Sequence, residues 1–484
     1  MSNYLIAVGG TGAKIAEAAV HLVAAGIMPG PLTVLFVDAD EGNGSVTRAI
    51  DAVKGYSKCQ GQFDPRVDPF RTSVTLLCDK PWSPIDTEAK TLRRIFAFPA
   101  MQQQEQDVMR CLYSDAEIDL DLTEGFRARP AIGAAVWAQK VNWEGAEGFG
   151  ALRAHLAQEP QNVQVKVALA GSIFGGTGAS GVPTIAKLIS RQYPNCQIAM
   201  FPLLPYFTFG DVGVDGRITA DPTVFISNTK EALKYYEKRG YLNFCHAIYL
   251  LGDEYQALML KPAVGRRDQC NEPHYLELVA ALGMTHFFHT KVDRNSLYLS
   301  SRKEGLRIQW EDLPVEKPAE NGPRSDWDIK FRRLARFAVA MRNCFAPTMN
   351  DALANGKTFR APWYGDLLEK RNRFDASEAD KLKAVEAYNT AFLEWLMYIL
   401  RPQTEKFEMR LLNREVISRS AADASLRLAS HQEFAAVGLG KFFVERDTEQ
   451  ASLDTLWERV CDTAIPDPPP SGVGRAIQAI YSNC

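Results

Sequence analysis

Two turns made mostly of glycine constrain this chain more than any other feature. Residues 171–181 read GSIFGGTGASG and lie between the apolar run VKVALA and the amphipathic run VPTIAKLISRQY. Residues 9–14 read GGTGAK and lie between YLIAV and IAEAAVHLV. Glycine between a parallel strand and a helix lets backbone N–H groups face a ligand with no Cβ in the way, and the helix N-terminus adds its positive dipole end. Both turns therefore predict contacts with phosphate.

Strand and helix patterns alternate on both sides of these turns. The first forty residues form one strand, helix, strand unit, and the alternation resumes after Arg127 and continues to about residue 290. A doubly wound parallel sheet is the predicted architecture. Residues 41–125 lack this rhythm and are interpreted as an insertion. Residues 274–289 form a strongly apolar helix, which we expect to be buried on most sides.

Length and composition limit the class of protein. A chain of 484 residues predicts two or three domains of about 150 residues each. A formal net charge of -3 without any Lys/Arg block gives no support for nucleic-acid binding. The chain starts directly with a strand and contains no run of about 18 to 20 apolar residues, so we expect no membrane span and a cytoplasmic location. Nine cysteines without a CxxC pair argue for a reducing compartment and against a structural metal site.

The turn GGTGAK admits three interpretations. The Walker pattern needs Ser or Thr after the lysine, and Ile15 stands there, so that pattern fails. The dinucleotide pattern GxGxxG is matched at Gly10 and Gly12 only, with Asp38 or Asp40 at the end of the next strand as the acid that would bind ribose. The third interpretation is an ordinary turn in which only glycine fits. A NAD-dependent oxidoreductase is therefore one alternative, although it leaves the second glycine loop unexplained.

A second glycine loop on another strand suggests one nucleotide with a chain of phosphates. The stretch AGSIFGGTGASGVPTIAKLI resembles the signature loop of the tubulin and FtsZ superfamily, whose pattern is GGGTG followed by Ser or Thr, Gly and a helix. It departs from that pattern at Phe174 and Ala179. IAVGGTGAKIAEA resembles the first nucleotide loop, FVDAD the end of the second strand, and FRARPAIGAA the loop at the terminal phosphate. The resemblance covers about residues 3–290.

The resemblance implies a GTP-binding protein of three parts: a tubulin-like domain at 1–270, a central helix at 271–290, and a smaller α+β domain with a helical tail at 291–484. GTP or GDP and Mg²⁺ are the implied ligands. The nucleotide contacts implied by the resemblance are Gly9, Gly10, Thr11, Gly12, Asp38, Asp40, Arg127, Arg129, Gly175, Gly176, Thr177, Gly178, Asn228 and Asn271.

Several of these residues have a second interpretation. Asp38 and Asp40 could bind ribose or magnesium, or simply end a strand in solvent. The two arginines could hold phosphate or pair with acids of the insertion. Asn228 and Asn271 stand where the superfamily recognises ribose and guanine, and each could equally be a helix N-cap.

Assembly and hydrolysis are also implied by the resemblance alone. In tubulin-like filaments an acidic loop after the central helix of one subunit completes the nucleotide site of the next subunit by positioning water. Its usual pattern, GxxNxDxxE, is not found here. Asp326 and Asp328, just before a predicted helix, are the candidates for this catalytic role, or they cap that helix. The implied activity is slow GTP hydrolysis coupled to head-to-tail assembly. The alternative is a scaffold that binds GTP without turnover and contacts partner proteins through the insertion or the tail.

Overall fold

The structure of the protein is a computed structural model of the whole chain. It describes residues 1–85, 88–140, 148–209, 220–253, 256–258, 265–301, 326–355, 360–365, 367, 374–400, 417–419, 426–429, 453–464 and 470–484.

The centre of the fold is a seven-stranded sheet in which every neighbouring pair is parallel. Its order is β3-β2-β1-β4-β5-β7-β9. Two further pairs lie outside this sheet, β6 with β8 and β10 with β11. The strands are β1 Ser2–Val8, β2 Leu32–Val37, β3 Val74–Leu76, β4 Val165–Ser172, β5 Gln197–Leu203, β6 Phe207–Thr208, β7 Ala247–Gly252, β8 Ala257–Leu258, β9 Ser296–Ser301, β10 Ile417–Arg419 and β11 Leu426–Leu428.

Helices make up most of the remaining described structure. The α-helices are α1 Gly9–Ala24, α2 Gly44–Gln62, α3 Leu92–Ile95, α4 Gln103–Leu112, α5 Asp115–Ile118, α6 Pro130–Lys140, α7 Phe149–Gln158, α8 Thr177–Gln192, α9 Phe225–Lys238, α10 Tyr275–His289, α11 Asp326–Ala340, α12 Ala346–Asn355, α13 Pro362–Tyr364, α14 Ala376–Leu400, α15 Leu453–Asp462 and α16 Val473–Asn483. Short 3₁₀ turns cover Phe98–Ala100, Leu122–Glu124, Pro222–Val224 and Tyr241–Asn243, and a π-helical segment covers Met341–Phe345.

Both faces of the sheet are covered, as predicted. Strand β1 alternates between the two hydrophobic cores: Leu5 packs with α1, α2 and α10, whereas Ile6 packs with α7 and α8 on the opposite face. Period-two alternation of apolar side chains is what a strand buried on both faces requires. The doubly wound parallel sheet predicted from the sequence is therefore confirmed.

The segment at 41–125 is only partly the insertion that the sequence suggested. Helix α2 packs on α1, and β3 extends the sheet beside β2, so residues 44–76 belong to the central fold. Residues 92–126 do form a separate small core, in which Leu92, Phe98 and Ile118 pack around Phe126 at the carboxyl edge of the sheet. The sheet also extends beyond residue 290, because β9 pairs with β7.

Helix α10 is the apolar central helix predicted from residues 274–289. It lies against α1, β5 and β7, and 13 of its residues are buried. Its last carbonyl groups are held by the buried Lys166 ammonium, which donates to the oxygens of Phe287 at 2.7 Å and Thr290 at 2.7 Å. A cation at a helix C-terminus stabilises both the open carbonyls and the helix dipole. The sheet and the central helix are thus joined by a charged contact as well as by packing.

The C-terminal helices share a hydrophobic core with the sheet domain. Helix α14 packs on α2, and the His21 ring of α1 lies against Tyr388, Phe392 and Trp395 of α14. His21 Nδ1 and Tyr388 Oη are 3.1 Å apart. Burial lowers the pKa of His21 to about 3, so the ring is neutral.

Within the described ranges, no helix combines the length and apolar character needed to span a bilayer.

Candidate functional site

A pocket opens at the carboxyl ends of β1 and β4, where the strand order of the sheet reverses. Ligands of open α/β sheets bind in this crevice. About 990 Å³ of space, open solvent included, lies between its lining residues. It is lined by Gly9, Gly10, Thr11, Asp38, Asp40, Asn43, Glu124, Gly125, Phe126, Arg127, Ala128, Ser172, Phe174, Gly175, Gly176, Thr177, Gly178, Phe207, Phe209, Ala220, Phe225, Gly265, Gln269 and Asn271.

The two glycine loops meet in this pocket. A Cβ built on Gly9 would lie 3.4 Å from Thr177 Cβ and 3.5 Å from the backbone nitrogen of Gly178. Helices α1 and α8 start at these loops, and neither has a side-chain cap, whereas the neighbouring α2 is capped by Asn43. First-turn N–H groups without a capping side chain are available to an anion. The pocket therefore combines two helix N-termini with two glycine loops.

Not every glycine of these loops serves an approaching ligand. A Cβ on Gly178 would lie 2.6 Å from the Ser172 carbonyl oxygen, and one on Gly12 would meet the Ala170 carbonyl. Gly176 faces Phe126, whose Cβ is 2.5 Å from the position of the added atom. These three positions require glycine because helices α1 and α8 pack closely against neighbouring backbone. Gly9 differs, since its φ of +73° is the conformation that favours glycine.

Two carboxylates follow β2 and face the pocket. Asp38 is 3% exposed, and its Oδ1 accepts from the Asp40 N–H at 3.2 Å and from the Thr177 hydroxyl at 3.4 Å. Its Oδ2 is buried and receives no hydrogen bond from any described residue. Burial, with the charge of Asp40 second, raises the pKa of Asp38 to about 7. A buried oxygen without a donor is costly, so this carboxyl group is suited to a proton or a cation from outside the chain.

Asp40 contacts the segment that precedes α10. Its Oδ1 accepts from the Gly42 N–H at 2.9 Å, and its Oδ2 accepts from the Arg266 N–H at 2.5 Å. Burial raises the pKa of Asp40 despite these two donors. Through Asp40, the segment that contains Gly265 and Gln269 closes one wall of the pocket.

The loop at 125–129 is wedged between two helices by Phe126. This ring is 1% exposed, and it fills the space left open by Gly176 of the signature loop and Gly133 of α6. The next two residues, Arg127 and Ala128, both have left-handed backbone, with φ of 47° and 56°. Left-handed backbone at non-glycine residues is strained and is often found at functional sites. The wedge thus fixes Arg127 beside the glycine loops.

The structure separates the two arginines of this loop. Arg127 lines the pocket, and its guanidinium donates to the Glu124 carboxylate. Arg129 is not a lining residue, and it donates to Glu117 Oε1 at 3.0 Å and to the Arg127 carbonyl at 2.9 Å. In this structure each arginine therefore pairs with an acid of the segment at 41–125, Arg127 with Glu124 and Arg129 with Glu117.

The two asparagines have different positions. Asn271 lines the pocket, its backbone N–H donates to Ser45 Oγ at 3.0 Å, and none of the described residues bonds its carboxamide. Asn228 lies behind the pocket wall, where its Nδ2 donates to the carbonyls of Ala128 at 3.1 Å and Phe174 at 3.5 Å. Asn228 is the fourth residue of α9, and its two hydrogen bonds join the loop at 125–129 to the second glycine loop. Neither asparagine acts as the N-cap of a described helix.

Sequence patterns gave no indication of several lining residues. Phe174, Phe207, Phe209 and Phe225 form an aromatic wall, with the Phe174 and Phe225 rings 4.8 Å apart. Asn43 and Gln269 add carboxamides, and the Asn43 Nδ2 donates to Gln269 Oε1 at 3.4 Å. Only Phe174 carried a signal, because it stands where the superfamily pattern has glycine. The others come from separate segments that converge only in the folded chain.

The two candidate catalytic acids belong to helix α11. Asp326 is the first residue of α11, and Asp328 follows within the helix. The Asp328 carboxylate accepts from Arg332 Nε at 2.7 Å, and the residue is 8% exposed. Asp328 is not among the described residues that line the pocket.

Comparisons with known proteins identify distant structural relatives. No protein-family model matches the chain, and no curated protein matches it. Among solved structures, the chain is similar to CetZ from Methanosaeta thermophila strain DSM 6194, at 13% identity and a TM-score of 0.27, over 60% of this chain and 54% of that one. It is also similar to CetZ2 from Haloferax volcanii, solved as a GTPγS-bound protofilament, at 13% identity and a TM-score of 0.29, over 59% of each chain. The match thus spans little more than half of either structure.

Proposed function

We propose that this protein binds a nucleotide with a chain of phosphates, GTP or GDP, in the pocket between β1 and β4. The observation that carries the proposal is the meeting of two glycine loops at the uncapped N-termini of α1 and α8. One such loop is common to many folds. Two of them on adjacent strands, facing the same space, suit a ligand with more than one phosphate group.

Magnesium is part of the proposal because the pocket is acidic. The lining side chains that the structure describes include three carboxylates, Asp38, Asp40 and Glu124, and one cation, Arg127. A polyphosphate would be repelled by this set unless a divalent cation accompanied it. The unpartnered Asp38 Oδ2 and the neighbouring Asp40 are hard oxygen ligands of the kind that Mg²⁺ prefers, with the remaining ligands supplied by phosphate and water. The bound ion would neutralise phosphate charge there.

The oxidoreductase alternative is less well supported. The sheet order is shared with dinucleotide-binding folds and does not separate the two hypotheses. The position of Asp38 does distinguish the two hypotheses, because its carboxylate accepts a hydrogen bond from the Thr177 hydroxyl of the second glycine loop. A ribose-binding acid would be expected at a distance from a phosphate loop, not in contact with one.

The direct test is to denature purified protein and identify any released nucleotide by chromatography and mass, followed by calorimetric titration with GTP, ATP and NAD in the presence of Mg²⁺. We expect GTP or GDP, with binding that is lost when EDTA removes the magnesium. Binding of NAD in preference to GTP would overturn the proposal.

Assembly is a second part of the proposed function. In head-to-tail association, Asp326 or Asp328 of one subunit would reach the pocket of the next, as the resemblance of the glycine loops implies. A scaffold that binds GTP without turnover is the alternative. Phosphate release measured over a range of protein concentrations distinguishes the two.

A further inference from the structure

Glu124 holds two arginines at the mouth of the pocket. Its carboxylate contacts the guanidinium of Arg127, and its Oε1 lies 3.4 Å from Arg266 Nε. The side chains of Glu124 and Arg127 are 18% and 7% exposed, whereas that of Arg266 is 70% exposed. Glu124 therefore bridges a buried arginine inside the pocket and an exposed one at its rim.

Among the lining residues in the described part of the chain, Arg127 has the only cationic side chain, and its charge is paired with that of Glu124. A phosphate group in the pocket would be surrounded by the carboxylates of Asp38, Asp40 and Glu124. A bound cation can neutralise the charge of the two aspartates, but Glu124 then still forms its ion pair with Arg127. An anionic ligand must therefore compete with Glu124 for Arg127.

The backbone around this pair lets one partner move more readily than the other. Arg127 follows the buried Phe126 wedge, so its Cα is fixed by the packing of two helices. Glu124 ends a short 3₁₀ turn and is followed by Gly125, which has a φ of +87°. A carboxylate that leaves Arg127 already has Arg266 as a partner and does not remain uncompensated.

We propose that Glu124 is an internal competitor of the ligand: its carboxylate takes, in the free protein, the place beside Arg127 that a phosphate group of the nucleotide occupies in the complex. This inference rests on the proposed nucleotide binding. Glu124 thereby sets the affinity of the site for the anionic end of its ligand, and on binding it turns toward Arg266. It is a specificity-determining residue and has no catalytic role.

The test compares three variants with the wild type by calorimetric titration with Mg²⁺·GTP, guanosine and magnesium tripolyphosphate. For Glu124→Gln we expect GTP and tripolyphosphate to bind about fivefold more tightly, because a neutral amide competes weakly for the arginine, and guanosine affinity to be unchanged. Glu117→Gln is the matched control: it removes the same charge from the equivalent pair with Arg129, outside the pocket, and should leave all three affinities unchanged. Arg266→Gln should weaken GTP binding about twofold, because Glu124 then has no second partner.

The outcomes separate this inference from the function on which it rests. If the wild type binds neither GTP nor tripolyphosphate, the proposed function fails and this inference fails with it. If the wild type binds GTP and a folded Glu124→Gln variant binds it equally or less tightly, only the competition is wrong, and weaker binding would make Glu124 a ligand of the magnesium ion. Thermal unfolding of each variant establishes that it is folded.

Discussion

The Lys14 ammonium and the Glu277 carboxylate form an ion pair between α1 and the central helix α10, and their side chains are 2% and 0% exposed. Lys14 also lies 3.4 Å from the Glu272 carbonyl oxygen, and the Tyr206 hydroxyl donates to Glu277 Oε1 at 2.6 Å. Tyr206 is in turn hydrogen-bonded to Thr11, a residue that lines the pocket. The lysine of GGTGAK thus serves the contact between two helices and is not among the described residues that line the pocket.

Breaking this pair should be costly. Lys14→Met or Glu277→Gln leaves one buried charge without its partner, and we expect either change to lower the free energy of unfolding by about 3 to 5 kcal/mol. The double variant Lys14→Met/Glu277→Gln should lose much less than the sum of the two. Urea unfolding of the four proteins gives the coupling energy. The matched control is Lys54→Met, in the exposed pair with Asp79, where a change below about 1 kcal/mol is expected. Additive losses would show that the buried pair does not act as a unit.

The sheet was predictable because the strands are buried on both faces. Apolar runs such as those of β1 and β4 stand out between glycine turns. Helix α2 was missed, although Val46, Ala49, Ile50 and Val53 repeat at helical spacing, because polar residues and glycines interrupt the run. Strand β3 has three residues and pairs on one side only, so it has almost no local signal.

The site was predictable where backbone conformation demands a residue type. The loops at Gly9 and Gly176 are visible in the sequence because glycine is needed there for conformation or close packing. Glu124 and Gln269 were not visible, since they belong to irregular segments whose positions depend on tertiary contacts such as the Phe126 wedge. Electrostatic competition between such segments leaves no pattern along the chain.

The stability of the free protein should fall as pH rises through the range in which Asp38 titrates. The pKa of Asp38 in the folded protein, about 7, is above its ordinary value of 3.8, so the folded state binds this proton more tightly than the unfolded state does. The contribution of Asp38 is therefore complete below about pH 4, decreases up to about pH 7 and is constant above it. Asp38→Asn should remove this dependence and be more stable than the wild type at pH 8, by at most roughly 4 kcal/mol. Urea unfolding of the wild type and of Asp38→Asn at pH 5 and pH 8 measures this change in the free energy of unfolding.

The same carboxylate should make magnesium stabilise the wild type. Mg²⁺ requires the ionised form, so the increase in melting temperature on adding MgCl₂ should be larger at pH 8 than at pH 6. Asp38→Asn should show no such increase at either pH. A variant that still responds to Mg²⁺ as the wild type does would place the ion elsewhere.

Asn228 and Asn271 should differ in their effect on base selectivity. Asn228 joins two loops through backbone carbonyls, so Asn228→Ala should weaken GTP and ATP binding equally, by about 1 to 3 kcal/mol. Asn271 presents its carboxamide to the pocket, so Asn271→Ala should reduce the preference for GTP over ATP. Calorimetric titration of both variants with both nucleotides decides this. A selectivity change in Asn228→Ala would mean that this side chain contacts the base.

Glycine substitutions should separate packing from ligand binding. Gly176→Ala brings a Cβ to 2.5 Å from Phe126, so we expect both the melting temperature and GTP affinity to fall as the wedge is displaced. For Gly10→Ala we expect a different result: the protein should stay folded and lose affinity for GTP, because Gly10 lines the pocket. A Cβ there lies 3.3 Å from Asn43 Nδ2, so this amide need shift only slightly. Gly55→Ala, with open space around the added atom inside α2, is the control and should stabilise by up to about 1 kcal/mol. Equal melting temperatures for Gly176→Ala and wild type would contradict the packing role.

Turnover should depend on assembly if Asp326 or Asp328 completes the site of a neighbouring subunit. Asp328 already accepts from Arg332 on the same helix, so it would have to exchange this partner for the neighbour's water, whereas Asp326 stands at the very start of α11. We therefore expect Asp326→Ala to lower phosphate release per molecule more than Asp328→Ala does, and Asp328→Ala to lower the free energy of unfolding by about 1 to 3 kcal/mol through the loss of its buried partner. Sedimentation and phosphate release are measured together over a range of protein concentrations.

Mixing Asp326→Ala protein with an excess of a Gly10→Ala protein that cannot bind GTP should restore turnover, because each supplies what the other lacks across a head-to-tail contact. Turnover per molecule that is independent of concentration and survives both aspartate substitutions would contradict the shared site, and GTP binding with no turnover at any concentration would favour the scaffold.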